Sequence, residues 1–285
     1  MINIKRIVVS FLIVTMLGIM GCNSINKVSK DTKDAERISY EDLSNYFSGY
    51  DGCIVLFDKN KNEYSIFNKE KSQKQISPCS TFKVVNSLIG LETKELEDEN
   101  TTFKWDGTQY PIESWNKDQT LKSAISNSVV WYFQSLTSKV GESRMNEFIK
   151  KIDYGNNDIS GGITKFWLQS SLKISPKEQV DFLRKLYDYQ LPMNKRYIDI
   201  VKDLILLSNE NGIKLSGKTG SGQNSNINKS NIININGWFI GYVEKDNNVY
   251  FFATNIESDE TTKQSADGQQ AMEITFKILR DKNLY

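Results

Sequence analysis

Pro78-Cys79-Ser80-Thr81-Phe82-Lys83 is the stretch on which the fold turns. Pro78 precedes a helix read from Ser80 to Leu91, with Phe82, Val85, Leu88 and Ile89 as its apolar stripe. Before it, Gly52-Cys53-Ile54-Val55-Leu56-Phe57 and Glu63-Tyr64-Ser65-Ile66-Phe67 read as two strands of a hairpin turning over residues 58–62. After it the pattern is helical over 121–125, 130–140 and 143–152. Another helix opens at Pro176, and a last one of this group runs over 197–207. A Gly/Asn-rich loop over 154–165 leads into Phe166-Trp167-Leu168. Strands return over 213–220, 236–244 and 248–256, and residues 266–279 close the chain as a helix. Strands at both ends around a helical middle predict an α+β fold. Its central antiparallel sheet is built from both termini and flanked by helices, with a mostly helical second lobe. The cleft between the lobes is the expected site.

Bulk properties narrow the function. Among 285 residues, 36 are basic and 35 acidic, a balance that argues against a nucleic-acid partner. Lys5-Arg6 followed by the apolar run 7–20 reads as a signal segment, since 14 residues fall short of the ~20 a membrane span needs. Ile19-Met20-Gly21-Cys22 resembles a bacterial lipoprotein processing site. The expected organisation is a signal peptide over 1–21, a polar tether over 22–37 and one catalytic domain over 38–285. Cys22 would be lipidated, holding an exported protein on the outer face of the bacterial cytoplasmic membrane. Removing Lys5 and Arg6 with the signal leaves 34 basic against 35 acidic residues. Cys53 and Cys79 remain, and two buried thiols are a slightly better reading than a disulfide.

The chain contains no histidine. A serine nucleophile needs a group to take its proton, and the common histidine answer is absent. Lys83 stands three residues after Ser80, on the same helical face. It can serve as a base only when neutral or chemically altered, and burial lowers a lysine pKa by up to roughly 3–5 units. Ser80 falls in the first turn, where its unpaired N–H can form one arm of an oxyanion hole. Taken singly, Ser80 and Lys83 would read as a helix cap and a solvated lysine. The S-x-x-K spacing also occurs at Ser24, Ser114 and Ser170. Company distinguishes Ser80. Lys218-Thr219-Gly220 occurs once, at the end of a predicted strand that could pair with an extended substrate. Lys218 brings charge, Thr219 a hydroxyl, Gly220 room for a ligand near the backbone, and Ser221 a second oxyanion N–H. Ser128 could relay a proton to a leaving nitrogen, with Ser126 as a competitor on spacing alone. Cys79, without a histidine partner, is not read as a nucleophile.

With Ser128-Val129-Val130-Trp131-Tyr132-Phe133-Gln134, Tyr154-Gly155-Asn156, Phe166-Trp167-Leu168 and Trp238-Phe239-Ile240-Gly241 added, the chain resembles a penicillin-recognising serine enzyme, specifically a class D (oxacillinase-type) beta-lactamase, over roughly residues 39–278. The resemblance implies hydrolysis of penicillin-type antibiotics through an acyl-enzyme on Ser80, and antibiotic resistance. It settles Ser128 over Ser126, since Val130 replaces the asparagine of the related classes. It implies that Lys83 is carbamylated by carbon dioxide (an N6-carboxylysine) and that the carbamate acts as base for acylation and deacylation. It also implies that the Trp167 indole N–H holds the carbamate, that Val130 shields it, and that Val130, Trp131, Thr219, Gly220 and Ser221 contact substrate. Lys218 joins Ser80, Lys83 and Ser128 as catalytic. No metal and no cofactor beyond carbon dioxide is expected, and the expected partners are beta-lactam antibiotics, with no obligatory protein partner. One departure stands out. Many members carry an arginine near the start of the last helix, whereas residues 269–275 contain none, so carboxylate recognition would rest on Thr219, Lys218 and Ser216 or Ser221. The other readings are a penicillin sensor or transpeptidase-like protein that is acylated without turnover, and a solute-binding lipoprotein, which leaves the three motifs unexplained.

Overall fold

Period-two alternation in the C-terminal strands sends apolar residues to both faces of one sheet. Trp238, Ile240, Tyr242, Phe251 and Ala253 join the core on one side, and Phe239, Val243, Phe252 and Ile256 the core on the other. The computed structural model of the protein describes residues 36–223, 234–258 and 264–285. The signal segment, Cys22 and most of the tether lie outside them.

The described chain runs β1 (Arg37–Tyr40), β2 (Tyr50–Asp58), β3 (Glu63–Phe67), α1 (Lys69–Gln73), α2 (Lys83–Glu92), β4 (Thr102–Phe103), β5 (Gln119–Thr120), α3 (Leu121–Ser126), α4 (Val130–Val140), α5 (Glu142–Ile152), α6 (Pro176–Tyr187), α7 (Lys195–Leu204), β6 (Leu206–Glu210), β7 (Ile213–Gln223), β8 (Asn234–Lys245), β9 (Asn248–Ser258) and α8 (Gly268–Asp281). The main sheet has the order β1-β3-β2-β9-β8-β7-β6. All its pairings are antiparallel except β1 with β3. N- and C-terminal strands meet at β2 and β9, with Ile54 opposite Thr254. The sheet is therefore α+β in kind, built from both termini, as the sequence predicts.

Helix α8 covers one face through Ala271, Ile274, Ile278 and Leu279. The helices of the chain's middle cover the other, with α2 and α4 supplying Val84, Leu88, Phe133 and Leu136. Their boundaries follow local chemistry. Ser175 and Glu178 form a reciprocal capping box, and Pro176 occupies the first turn of α6, where its missing N–H costs nothing.

Several boundaries differ from the sequence reading. The helix expected from Ser80 is two pieces: a 3-10 turn over Cys79–Phe82, then α2 from Lys83. Cys79 enters this turn at φ 50, a left-handed conformation that tightens the entry. The helix expected over 197–207 stops at Leu204, and residues 206–210 form edge strand β6, because pairing with β7 overrides the apolar period. The K-T-G motif lies inside β7, not at its end: the strand continues to Gln223 because Ser221 and Gly222 pair with Gly237 and Asn236. The first described strand, β1, opens at Arg37.

Candidate active site

The entry turn, the α3–α4 junction and β7 converge on one cleft of about 780 Å³. Ser80, Ser128, Val130, Thr219, Gly220 and Ser221 line it. Ser80 sits at the second position of the 3-10 turn, where leading N–H groups have no intrahelical acceptor. Lys83 begins α2, fully buried, with Nζ 2.6 Å from Ser80 Oγ and 5.6 Å from the Phe133 ring centroid. Among the described residues no acidic side chain pairs with Lys83; the charge that bears on it most is a second cation, Lys218. Burial first, and then that like charge, hold the Lys83 pKa well below the ordinary lysine value. An unprotonated Nζ beside a serine hydroxyl is a competent base.

Lys218 and Ser128 form the second pair, with Nζ donating to Ser128 Oγ at 3.1 Å and to the Thr219 carbonyl at 3.0 Å. Burial lowers the Lys218 pKa to about 8. Ser128 reaches it from a left-handed backbone conformation, φ 54, after α3 ends. Ser126 is exposed on that helix. Spacing alone left the two open; position in the fold separates them.

Gly220 is required by a neighbour inside the protein. A Cβ there would stand 3.0 Å from the Pro78 carbonyl and 3.2 Å from the Thr81 nitrogen. The missing side chain lets β7 close against the nucleophile turn, which brings the Ser221 and Ser80 backbones to one cleft. At the far end of the strand, Ser221 Oγ accepts from the Gly268 N–H at 2.9 Å, which ties β7 to the start of α8.

Trp167 is fully buried, and its Nε1 has no hydrogen-bond partner in the described structure. Its carbonyl accepts from the Cys79 N–H and the Ser77 hydroxyl, both at 3.0 Å, which sets this residue beside the nucleophile turn. The ring contacts Phe82 and Phe166. Tyr154-Gly155-Asn156 fixes the same segment. Asn156 Oδ1 accepts from the Lys173 N–H at 2.9 Å, Gly155 lies at φ 59 with no room for a Cβ against the Lys173 carbonyl, and Tyr154 OH donates to Gln179. Gln179 in turn donates to Thr81 Oγ1 at 3.0 Å.

Trp131 does not line the cleft. Its Nε1 donates to the Trp115 carbonyl at 2.9 Å, and Trp115 forms the wall. Tyr110, Pro111, Ile112 and Gln169 are among the further lining residues, and the sequence reading assigns them no role at the site. The aromatic cluster around Trp115 was the available signal. Cys53 and Cys79 are free buried thiols, and burial pushes the Cys79 thiol up to about 11, so it stays protonated.

Residues 52–280 match the family model described as the penicillin binding protein transpeptidase domain. The chain is 36% identical to the probable beta-lactamase YbxI of Bacillus subtilis over 98% of both chains. It is 40% identical to the regulatory protein BlaR1 of Bacillus licheniformis over 92% of this chain, and it spans only 42% of that protein's length. The solved class D beta-lactamase BAT-2 superposes with a TM-score of 0.77 at 40% identity, covering 86% of this chain and 97% of that one.

Proposed function

The chain belongs to the penicillin-recognising serine family, in the class D beta-lactamase-like group, and on that premise we propose that it hydrolyses the beta-lactam ring of penicillin-type antibiotics through an ester on Ser80. One observation carries this reading: among the described residues, a fully buried Lys83 without an acidic partner touches Ser80 Oγ, while the buried Trp167 Nε1 has no hydrogen-bond partner.

An orphaned buried donor costs roughly 1–3 kcal/mol unless something accepts from it. A carboxylate-like group on Lys83 fits that need, and the depressed lysine pKa leaves Nζ free to form it. The unprotonated Nζ bonds to carbon dioxide and one proton leaves, giving a carbamate that Trp167 would hold. Bound there, the carbamate supplies an anionic base for both half-reactions. In acylation Ser80 Oγ loses its proton and bonds to the lactam carbonyl carbon. The Ser80 and Ser221 N–H groups bear the charge on its oxygen. The C–N bond breaks, and the Ser128 hydroxyl, backed by Lys218, protonates the nitrogen. A water then attacks the ester carbon, Ser80 leaves with its proton restored, and the acid product departs.

Substrate carboxylates are recognised by Lys218, Thr219 and Ser221 in this scheme. Export, with lipid on Cys22 holding the domain outside the cytoplasmic membrane, belongs to the same proposal. The second reading, a receptor domain acylated without turnover, is favoured by the BlaR1 match. Intact-mass measurement on a mixture with limiting benzylpenicillin separates the two. The enzyme shows an adduct of one drug that vanishes as the drug is consumed. A receptor keeps the adduct, and no adduct at all would contradict both.

A further inference from the structure

Asn236 does not line the cleft, yet its side chain meets Ser77 and two residues that do line it, Cys79 and Gln169. Nδ2 donates to the Ser77 carbonyl at 3.0 Å and approaches Gln169 Oε1 at 3.4 Å and Cys79 Sγ at 3.7 Å. Its own Oδ1 accepts from Asn255 Nδ2 at 2.8 Å, and Asn255 also donates to the Gly237 carbonyl. Asn236 and Asn255 are almost fully buried.

The contacted residues are backbone exceptions. Cys79 lies at φ 50 and Gln169 at φ 50, a region that costs a non-glycine residue on the order of 1 kcal/mol or more. Such conformations persist only where the surroundings over-determine them. Cys79 immediately precedes Ser80, and Gln169 follows Trp167 by two residues. Gln169 reaches the network over Gly222, which pairs with Asn236 and has no side chain to block it: a Cβ there would stand 2.5 Å from Gln169 Cδ. Ser77 Oγ closes the same junction, donating to the Trp167 carbonyl and accepting from the Gln169 N–H at 2.9 Å.

We propose that Asn236 is a positioning residue that locks the strained Cys79 and Gln169 turns together, and so fixes Ser80 and the Trp167 indole relative to each other. The carbamate consequence rests on the function proposed above. A buried amide on a sheet strand thus couples the acylation nucleophile to the group that holds the base, without touching substrate.

The test compares wild type with Asn236→Leu, which keeps bulk and removes the donor, and with Asn236→Leu/Gln169→Gly, in which glycine adopts the left-handed turn without a clamp. Circular dichroism checks folding. Two readouts follow: single-turnover acylation of Ser80 by a fluorescent penicillin, and the 13C carbamate signal of Lys83 in labelled bicarbonate. Asn236→Leu should slow acylation about tenfold, the scale of one lost buried hydrogen-bond set, and lower the carbamate signal at fixed bicarbonate. The double variant should recover most of that signal. A folded Asn236→Leu with wild-type acylation rate and carbamate signal overturns the proposal, as does a double variant no better than the single. If wild type shows no carbamate at saturating bicarbonate, the base assignment fails instead, and the acylation rate alone decides for Asn236. Should Asn236→Leu not fold, Asn236→Ala, which removes the donor without adding bulk, replaces it with the same outcomes.

Discussion

Lys83 and Lys218 are two buried amines without acidic partners among the described residues, and their roles divide by environment. Lys83 faces Phe133 and touches Ser80, so its amine is the neutral one. Acidification protonates it, which removes both the base and the nucleophile for carbon dioxide. Lys218 keeps its charge below about 8 and loses it as pH rises, so KM for anionic penicillins should climb above that pH and acylation at saturation should slow, since Ser128 loses the proton donor behind it. Stability follows a definite sign. The unfolded chain holds the Lys218 proton to a pKa near 10.4, so the buried charge costs on the order of 3 kcal/mol at neutral pH. Stability is regained as pH rises from about 8 towards 10.4, because only the unfolded state still binds the proton there. Lys218→Met should therefore raise the melting temperature at pH 7 while acylation falls by orders of magnitude. A lower melting temperature in thermal unfolding would mean the charge is not a net cost. Trp167→Ala should leave acylation of Ser80 largely intact and slow deacylation. Unchanged turnover and bicarbonate dependence in that variant would remove the carbamate from the account.

At the scale of elements, the site depends on how closely β7 approaches the nucleophile turn. Gly220→Ala carries no φ penalty, yet its Cβ would press on the Pro78 carbonyl and Thr81. The strand must retreat by a few tenths of an ångström, which should slow acylation at least tenfold with little loss of stability, a split readable by penicillin labelling beside thermal unfolding. Ser80 with Lys83 and the K-T-G triad were legible in the sequence as short local patterns with chemistry of their own, whereas Ser128 was chosen over Ser126 only through the family resemblance. The hairpin β2–β3, the strands β8 and β9, and the opening of α6 at Pro176 were equally legible from period and caps. Edge strand β6 was not, because Leu206 and Leu207 continue the apolar spacing of α7 and only pairing with β7 decides their state. The wall of Tyr110, Pro111 and Ile112 was not legible either, since nothing local shows that a loop between β4 and β5 returns to the cleft. Asn236 reads as an ordinary strand residue until the fold sets it behind Cys79 and Gln169.

For the whole molecule, one sheet with cores on both faces carries a cleft whose base is buried and whose rim is open. The two readings proposed above share that plan, and they differ in whether an ester on Ser80 would be released. Under the proposed function bicarbonate reports on this directly, because carbon dioxide bonds only to an unprotonated amine. The decisive measurement is turnover of a chromogenic cephalosporin by the purified chain in degassed buffer, with and without added bicarbonate. The account predicts many turnovers per protein, stimulated several-fold by bicarbonate. A single stoichiometric burst with a lasting acyl adduct, indifferent to bicarbonate, would contradict it.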